Sequence, residues 1–208
     1  SRKLRLGVVG LGMGRGHAEG YKSHPGADLV ALCDLDENRL RSTAKQLKVG
    51  QTYTDLKTML ERADLDGVSI AVPNKLHAPL TIQALGAGLH VLCEKPMATN
   101  VREAERMQKA AEKAGRSLMI NFSFRFTETS HMLKQQVDSG AIGDIYFGRS
   151  MWHRYRGMQG NWFADKEIAG GGPLIDLGVH RLDRALWLMG YPEPVAVSGS
   201  TYDYIARE

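Results

Sequence analysis

Cysteine is almost missing from this chain. Of its 208 residues only Cys33 and Cys93 carry a thiol. Each stands near the end of an apolar stretch, and one thiol per stretch gives no C-x-x-C spacing for zinc or redox chemistry. A disulfide framework is not expected, no metal site is expected, and both residues read as small buried hydrophobes. Long apolar runs are missing as well. None approaches the roughly 18 residues of a membrane span, so no membrane partner is expected. Nor is there a long basic block: 27 Lys and Arg are spread among 23 acidic residues for a net charge of +4. That describes a mixed solvated surface, and no nucleic-acid partner is expected. There is no internal repeat, no low-complexity linker and no secretory pattern, which leads to the expectation of a cytoplasmic protein.

What is present is ordinary globular material. The chain is 43% hydrophobic and 24% charged, enough for a core, and its length fits one large domain or two small ones. Residues 4–9 form a short apolar run that enters Gly10-Leu11-Gly12-Met13-Gly14-Arg15-Gly16-His17. A strand, a glycine turn and a helix are the parts of a dinucleotide fingerprint. Glycines let the backbone approach a pyrophosphate, and a helix N-terminus offers it free N–H groups. The strict G-x-G-x-x-G is not met, because its third glycine position holds Arg15, so the turn is one residue shorter than usual. An ordinary glycine turn is the competing reading.

The next apolar run, 28–33, ends at Asp34, 24 positions after Gly10. The fingerprint asks for an acidic residue at about 20 positions, to bond the ribose hydroxyls. Asp34 could instead cap the helix 37–47, but Asp36 is better placed for that. A carboxylate there repels a 2′-phosphate, which favours NAD over NADP. No arginine follows immediately, in agreement.

Strands at 51–53, 67–72, 89–93 and 117–120 alternate with helices at 56–62, 79–87 and 102–114. This alternation predicts a doubly wound parallel sheet, a Rossmann domain, over residues 1–121. The stretch 90–96 runs an apolar strand into Glu94-Lys95-Pro96. Such a lysine stands at the carboxyl edge of the sheet, where ligands bind in open α/β folds.

After Asn121 the rhythm changes, and residues 122–208 read as a second, α+β domain. Helices are expected at 128–137 and 174–189, and strands at 144–153 and 195–204. On the 174–189 helix, Ile175, Val179, Leu182, Leu186 and Met189 form the stripe expected to face a core. Asp176, His180, Asp183 and Trp187 form the neighbouring stripe, with Asp176 and His180 one turn apart. A surface ion pair is the alternative for those two.

With these residues placed, the chain resembles the glucose–fructose oxidoreductase / inositol dehydrogenase / MocA-like family of nicotinamide oxidoreductases. The motifs are Gly10-Leu11-Gly12 with Asp34, residues 72–77 (Val-Pro-Asn-Lys-Leu-His), Glu94-Lys95-Pro96, residues 121–126 (Asn-Phe-Ser-Phe-Arg-Phe) and residues 170–183. The resemblance implies a second domain with an open, mostly antiparallel sheet. It implies catalytic roles for Lys95, Asp176 and His180. Asn74 and His77 match positions beside the nicotinamide and its ribose, and the Lys-Pro bond is often cis in the family. Cofactor contacts are expected from Gly10, Gly12, Met13, Gly14, Arg15, Asp34, Pro73, Asn74, His77, Glu94, Lys95 and Asn121. Family members are longer, so a truncated second domain is expected here, and a homo-oligomer at full length.

The implied activity is hydride transfer between NAD and a secondary hydroxyl of a sugar, polyol or inositol-like substrate. Lys95 would steady alkoxide charge and His180 would carry the proton. His153, Arg154, Arg156 and Trp162 are candidate substrate contacts, and Trp162 reads equally well as core packing. Two other functions stay open: a glycosidase that oxidises its sugar transiently, and a non-catalytic dinucleotide-binding regulator.

Overall fold

A computed structural model describes residues 2–153 and 160–202. By its internal contacts the chain divides into two units, residues 1–121 and 122–208.

The first unit alternates strand and helix. Its strands are β1 (Leu4–Val9), β2 (Ala27–Cys33), β3 (Gln51–Tyr53), β4 (Gly67–Ile70), β5 (His90–Glu94) and β6 (Leu118–Asn121). Its helices are α1 (Gly14–Ser23), α2 (Glu37–Leu47), α3 (Leu56–Arg62), α4 (His77–Gly86) and α5 (Val101–Ala114). All pairings are parallel, in the order β3-β2-β1-β4-β5-β6. The order reverses between β1 and β4, and in such sheets a crevice opens there at the carboxyl ends of the strands.

The helices start and stop where the sequence chemistry says they should. Asp36 caps α2 by accepting from the N–H groups of Asn38 and Arg39 at 3.0 Å each. Asp55 accepts from Thr58 N at 2.8 Å to start α3, and Asn100 accepts from Glu103 N at 3.0 Å to start α5. Gly115 closes α5 in the left-handed region at φ 60°, the conformation glycine adopts without steric cost.

Neighbouring strand residues serve opposite faces of the sheet. Val8 and Leu32 join Leu11, Ala18, Leu29 and Leu40 in one apolar cluster. Val9, Ala31 and Cys33 join Met59, Ile70 and Leu85 in the other. With both faces covered, the strands read as near-continuous apolar runs. Truncating the fully buried Met59 to alanine would cost about 2–5 kcal/mol.

The second unit holds α6 (Glu128–Asp138), a short α7 (Lys166–Ala169), a π turn at Leu174–Gly178 and α8 (Val179–Leu188). Among its described residues there is no strand. This corrects the expected strands at 144–153 and 195–204, of which 203 and 204 lie outside the described residues. The expected antiparallel sheet is accordingly not formed by these residues. A strand is held by its neighbour's hydrogen bonds, and these segments have no paired neighbour. Their apolar groups stay in solvent, Tyr146 at 97% exposure and Val195 at 98%.

A second correction concerns 174–189. It is not one regular helix: the π turn precedes α8. Leu182, expected on the core stripe, is 56% exposed, and the buried residue of α8 is His180.

Candidate functional site

The glycine turn leaves β1 at the point of strand reversal. Gly10 donates to Cys33 O at 2.8 Å, and Ala71 donates to Val9 O at 2.8 Å, so the ends of β1, β2 and β4 are drawn together. Gly10 has φ +84°, and a Cβ on it would lie 2.3 Å from the Ala71 carbonyl oxygen. It is therefore the residue of the tight turn. A Cβ on Gly14 would stand 2.9 Å from Val8 Cγ1 and 3.0 Å from Ala71 Cβ, which makes Gly14 the close contact of helix on sheet. In the usual fingerprint the third glycine does that work one residue later. A Cβ on Gly12, by contrast, meets nothing within 4 Å. Gly12 borders open space, as a residue facing a pyrophosphate should. Met13, the residue before α1, supplies no side-chain cap, which leaves the first N–H groups of the helix for a ligand. The Met13 side chain is exposed. The Arg15 side chain is engaged by Glu19 and Gln46 at 2.9 Å each, so only its backbone faces this task.

Asp34 lies at the end of β2 with 6% exposure. Its carboxylate accepts from Leu11 N at 2.6 Å and Asp36 N at 2.8 Å. Arg39 closes a two-pronged pair on it, Nε to Oδ2 and Nη2 to Oδ1, both 3.0 Å. Burial works against the charged form, but the hydrogen bonds from Arg39, Asp36 and Leu11 outweigh it and hold the carboxyl below its ordinary range. Arg39 is 46% exposed and was not singled out from sequence; its distance of five residues from Asp34 hid it.

Beyond β4, Pro73 leads into a one-turn 3₁₀ segment, Asn74–Leu76, with Asn74 buried. His77, the first residue of α4, is 1% exposed. Its Nδ1 lies 2.6 Å from Pro96 O and its Nε2 lies 2.9 Å from Val72 O. Both ring nitrogens are thus committed to backbone carbonyls. The ring braces the turn after β5, and in this arrangement it offers no nitrogen to a ligand.

Glu94 ends β5, Lys95 follows half-buried, and the Lys95–Pro96 peptide is cis. Glu94 Oε2 accepts from Lys95 N at 3.1 Å. Glu94 Oε1 accepts from Asn121 Nδ2 at 2.7 Å and faces His17 Nε2 at 2.9 Å. Burial pushes the Glu94 carboxyl up, but the hydrogen bonds from His17 and Asn121 win and hold it below its usual range. Three residues expected to touch the cofactor, Glu94, Lys95 and Asn121, are therefore bonded to one another. His17, the fourth member, was missed. The available signal was its spacing: His17 and Tyr21 are four apart on α1, beside the buried Ala18.

In the second unit, His180 packs edge-on against Phe124 with ring centroids 4.6 Å apart, and Phe124 packs on Trp152 at 5.5 Å. Arg181 lies over the Trp152 ring at 4.5 Å. Asp176 sits in the π turn, four residues before His180. Arg125 forks onto Asp183, with Nε to Oδ2 at 2.8 Å. Trp162 stacks on Phe163 at 3.8 Å, and His153 is exposed. The expected substrate contacts Arg154 and Arg156 lie outside the described residues. No cluster of metal-ligating side chains occurs among the described residues, and no helix there is long and apolar enough to cross a membrane.

A parallel sheet of this order, with a glycine turn and an acidic residue ending β2, defines a dinucleotide-binding α/β protein. The chain belongs to the oxidoreductase family with an NAD-binding Rossmann fold, whose model matches residues 4–122. The GFO/IDH/MocA C-terminal domain matches residues 130–206. The chain is 35% identical to D-glucoside 3-dehydrogenase of Escherichia coli, over 100% of its own length and 60% of that protein. It is 33% identical to myo-inositol 2-dehydrogenase of Thermotoga maritima, over 95% of its own length and 58% of that protein. It thus spans little more than half the length of these curated relatives. Among solved structures it superimposes on GenD2 from gentamicin A biosynthesis, in complex with NAD, with a TM-score of 0.83. That match has 29% identity and covers 92% of this chain and 55% of that one.

Proposed function

We propose that this chain is part of a nicotinamide-dependent dehydrogenase that oxidises a secondary hydroxyl of a sugar, polyol or inositol-like substrate, with NAD as the preferred cofactor. The observation that carries the reading is the position of Lys95. It follows β5 at the carboxyl edge of the sheet, in a turn fixed by Glu94 on one side and His77 on the other. The names of the Escherichia coli and Thermotoga maritima relatives support the substrate class.

Gly10, Gly12, Gly14 and the start of α1 fit a pyrophosphate, and Asp34 fits the adenosine ribose. Ribose hydroxyls would reach Asp34 by displacing Arg39, whose exposed side chain can withdraw while the two backbone donors stay. When bound, a nicotinamide supplies the two-electron acceptor for alcohol oxidation. Lys95 donates a hydrogen bond to the substrate oxygen and steadies alkoxide charge as the hydroxyl proton leaves. On the second unit, His180 is the proposed proton carrier and Asp176 its orienting group. Two free thiols fit a reducing, cytoplasmic compartment. The exposed apolar groups of the second unit, Tyr146 and Val195 among them, support burial against further protein.

The test is a panel of sugars and polyols with NAD and NADP on the full-length protein, followed by reduced-nicotinamide absorbance. Stoichiometric NADH release on one of these substrates is the expected result. Substrate turnover without net NADH would favour the glycosidase instead, and no turnover with either cofactor would refute both.

A further inference from the structure

One polar chain runs through the first unit from α1 to the end of β5. Tyr21 OH lies 2.5 Å from Ser69 Oγ, Ser69 Oγ lies 3.0 Å from His17 Nδ1, and His17 Nε2 lies 2.9 Å from Glu94 Oε1. Donor and acceptor rules orient it. An ionised carboxylate only accepts, so His17 Nε2 carries the hydrogen, and with one hydrogen on the ring Nδ1 is an acceptor. The Ser69 hydroxyl then donates to Nδ1, and the Tyr21 phenol donates to Ser69. Every group is satisfied in one direction, from α1 through β4 and back through α1 to the end of β5. Half-buried polar networks of this kind fix a unique geometry only when every member is paired.

The end of the chain is what gives it consequence. Glu94 divides its two oxygens: Oε1 faces His17 and Asn121, and Oε2 holds the backbone N–H of Lys95. A rotation of that carboxylate would break the hydrogen bond on the lysine's own N–H. His17 lies three residues into α1, whose N-terminus faces the pyrophosphate position. One imidazole therefore joins the helix that seats the dinucleotide to the turn that carries the reactive lysine.

We propose that His17 is a positioning residue for Lys95, acting through the Glu94 carboxylate. The proposal rests on the reading of Lys95 as the catalytic lysine. A leucine at position 17 fills the space and removes the donor, leaving Asn121 alone on Glu94 Oε1. A glutamine restores an N–H at nearly the same reach. The titratable groups facing Glu94 are His17 from α1, His77 from α4, and its own neighbours Cys93 and Lys95. Only the first changes in these variants.

The experiment has two readouts on the full-length protein. The first needs no cofactor: the Lys95 amide resonance, followed by ¹⁵N NMR against pH, reports ionisation of the carboxylate it donates to. In His17→Leu its midpoint moves up, because a hydrogen bond favouring the ionised form is gone; in His17→Gln it returns toward wild type. The second is kinetic: kcat falls by about tenfold or more in His17→Leu, the scale of a misplaced catalytic group. NAD affinity by calorimetry stays close to wild type, and His17→Gln recovers most of kcat. Should His17→Leu not fold, Ser69→Ala carries both readouts in the same direction with smaller size, since it removes the donor that holds the His17 tautomer. An unmoved Lys95 amide titration together with unchanged kcat overturns the proposal. If the wild type turns over no substrate with either nicotinamide, the dehydrogenase reading falls, and the amide titration still decides whether His17 holds the turn.

Discussion

His77 Nδ1 lies 2.6 Å from the carbonyl oxygen of Pro96, nineteen residues further along the chain. With Val72 O on the other nitrogen at 2.9 Å, the ring spans the loops that follow β4 and β5. A neutral imidazole has one N–H, so only one carbonyl receives a hydrogen; a charged ring would serve both. Burial nonetheless outweighs the two carbonyls and lowers the pKa below the ordinary 6.5.

The sign of the pH effect follows. The folded protein takes up this proton less readily than the unfolded chain does. His77 therefore leaves stability complete above the ordinary histidine value, and stability declines as pH falls below it toward the folded value. The thermal midpoint of wild type should fall between about pH 7.5 and pH 5, and the slope should be shallower in His77→Gln. Coincident slopes in the two proteins would place the pH dependence elsewhere.

The two glycines of the turn should separate under substitution. Gly10→Ala forces a side chain into the left-handed region and against the Ala71 carbonyl, and should cost about 1–3 kcal/mol or more by chemical denaturation. Gly12→Ala meets open space and should change stability by about 0.5 kcal/mol at most. Its effect belongs to the ligand, with NAD affinity lowered by about tenfold or more because the methyl occupies the pyrophosphate approach. A Gly12→Ala protein that binds NAD as wild type does would remove that residue from the cradle.

Asp34→Ser should shift cofactor preference toward NADP by about tenfold, the scale of a charge-assisted hydrogen bond. The carboxylate that repels a 2′-phosphate is gone, and Arg39 loses the partner that now neutralises it. The ratio of kcat/KM for the two cofactors measures this. Tighter binding of NADP than NAD by the wild type would contradict the ribose assignment.

Lys95→Met keeps much of the side-chain stem and removes the charge. Turnover should fall by about 10²-fold or more, the scale of a lost acid–base group. NAD affinity should stay within a few fold, because the proposed pyrophosphate and ribose contacts, the glycine turn and Asp34, lie elsewhere. Near-normal turnover with a substrate the wild type oxidises would return Lys95 to the status of an ordinary surface lysine.

The first unit was legible because its signals are local. Apolar runs such as 4–9 and 28–33, the cap Asp36, and Gly115 at the end of α5 are each set by a few neighbouring residues. The placement of Asp34 and Lys95 at strand ends was legible for the same reason. Their partners were not. His17, Ser69 and Arg39 have no motif of their own, and His17 meets Glu94 across 77 positions of chain. His77 carried a ligand-facing expectation, yet its ring turned to two carbonyls that no spacing rule connects. In the second unit, a long stretch at 144–153 with aromatic and basic residues suggested a strand, but pairing decides strands and composition only permits them. The π turn before His180 likewise has no signature in periodicity, and it spoils the stripe that placed Leu182 inside.

Cys33 ends β2 and Cys93 is the last residue but one of β5, both with almost no exposure, and burial pushes both thiols up to about 12. Neither is a nucleophile while the sheet is intact, since the thiolate is the reactive form. They sit in strands on either side of the β1–β4 pair, so any opening deep enough to expose them breaks the sheet itself. A thiol reagent added to the native protein would therefore act as a clock. Its labelling rate counts openings of the dinucleotide-binding sheet, and a bound nicotinamide nucleotide would slow that clock in proportion to its hold on the closed form.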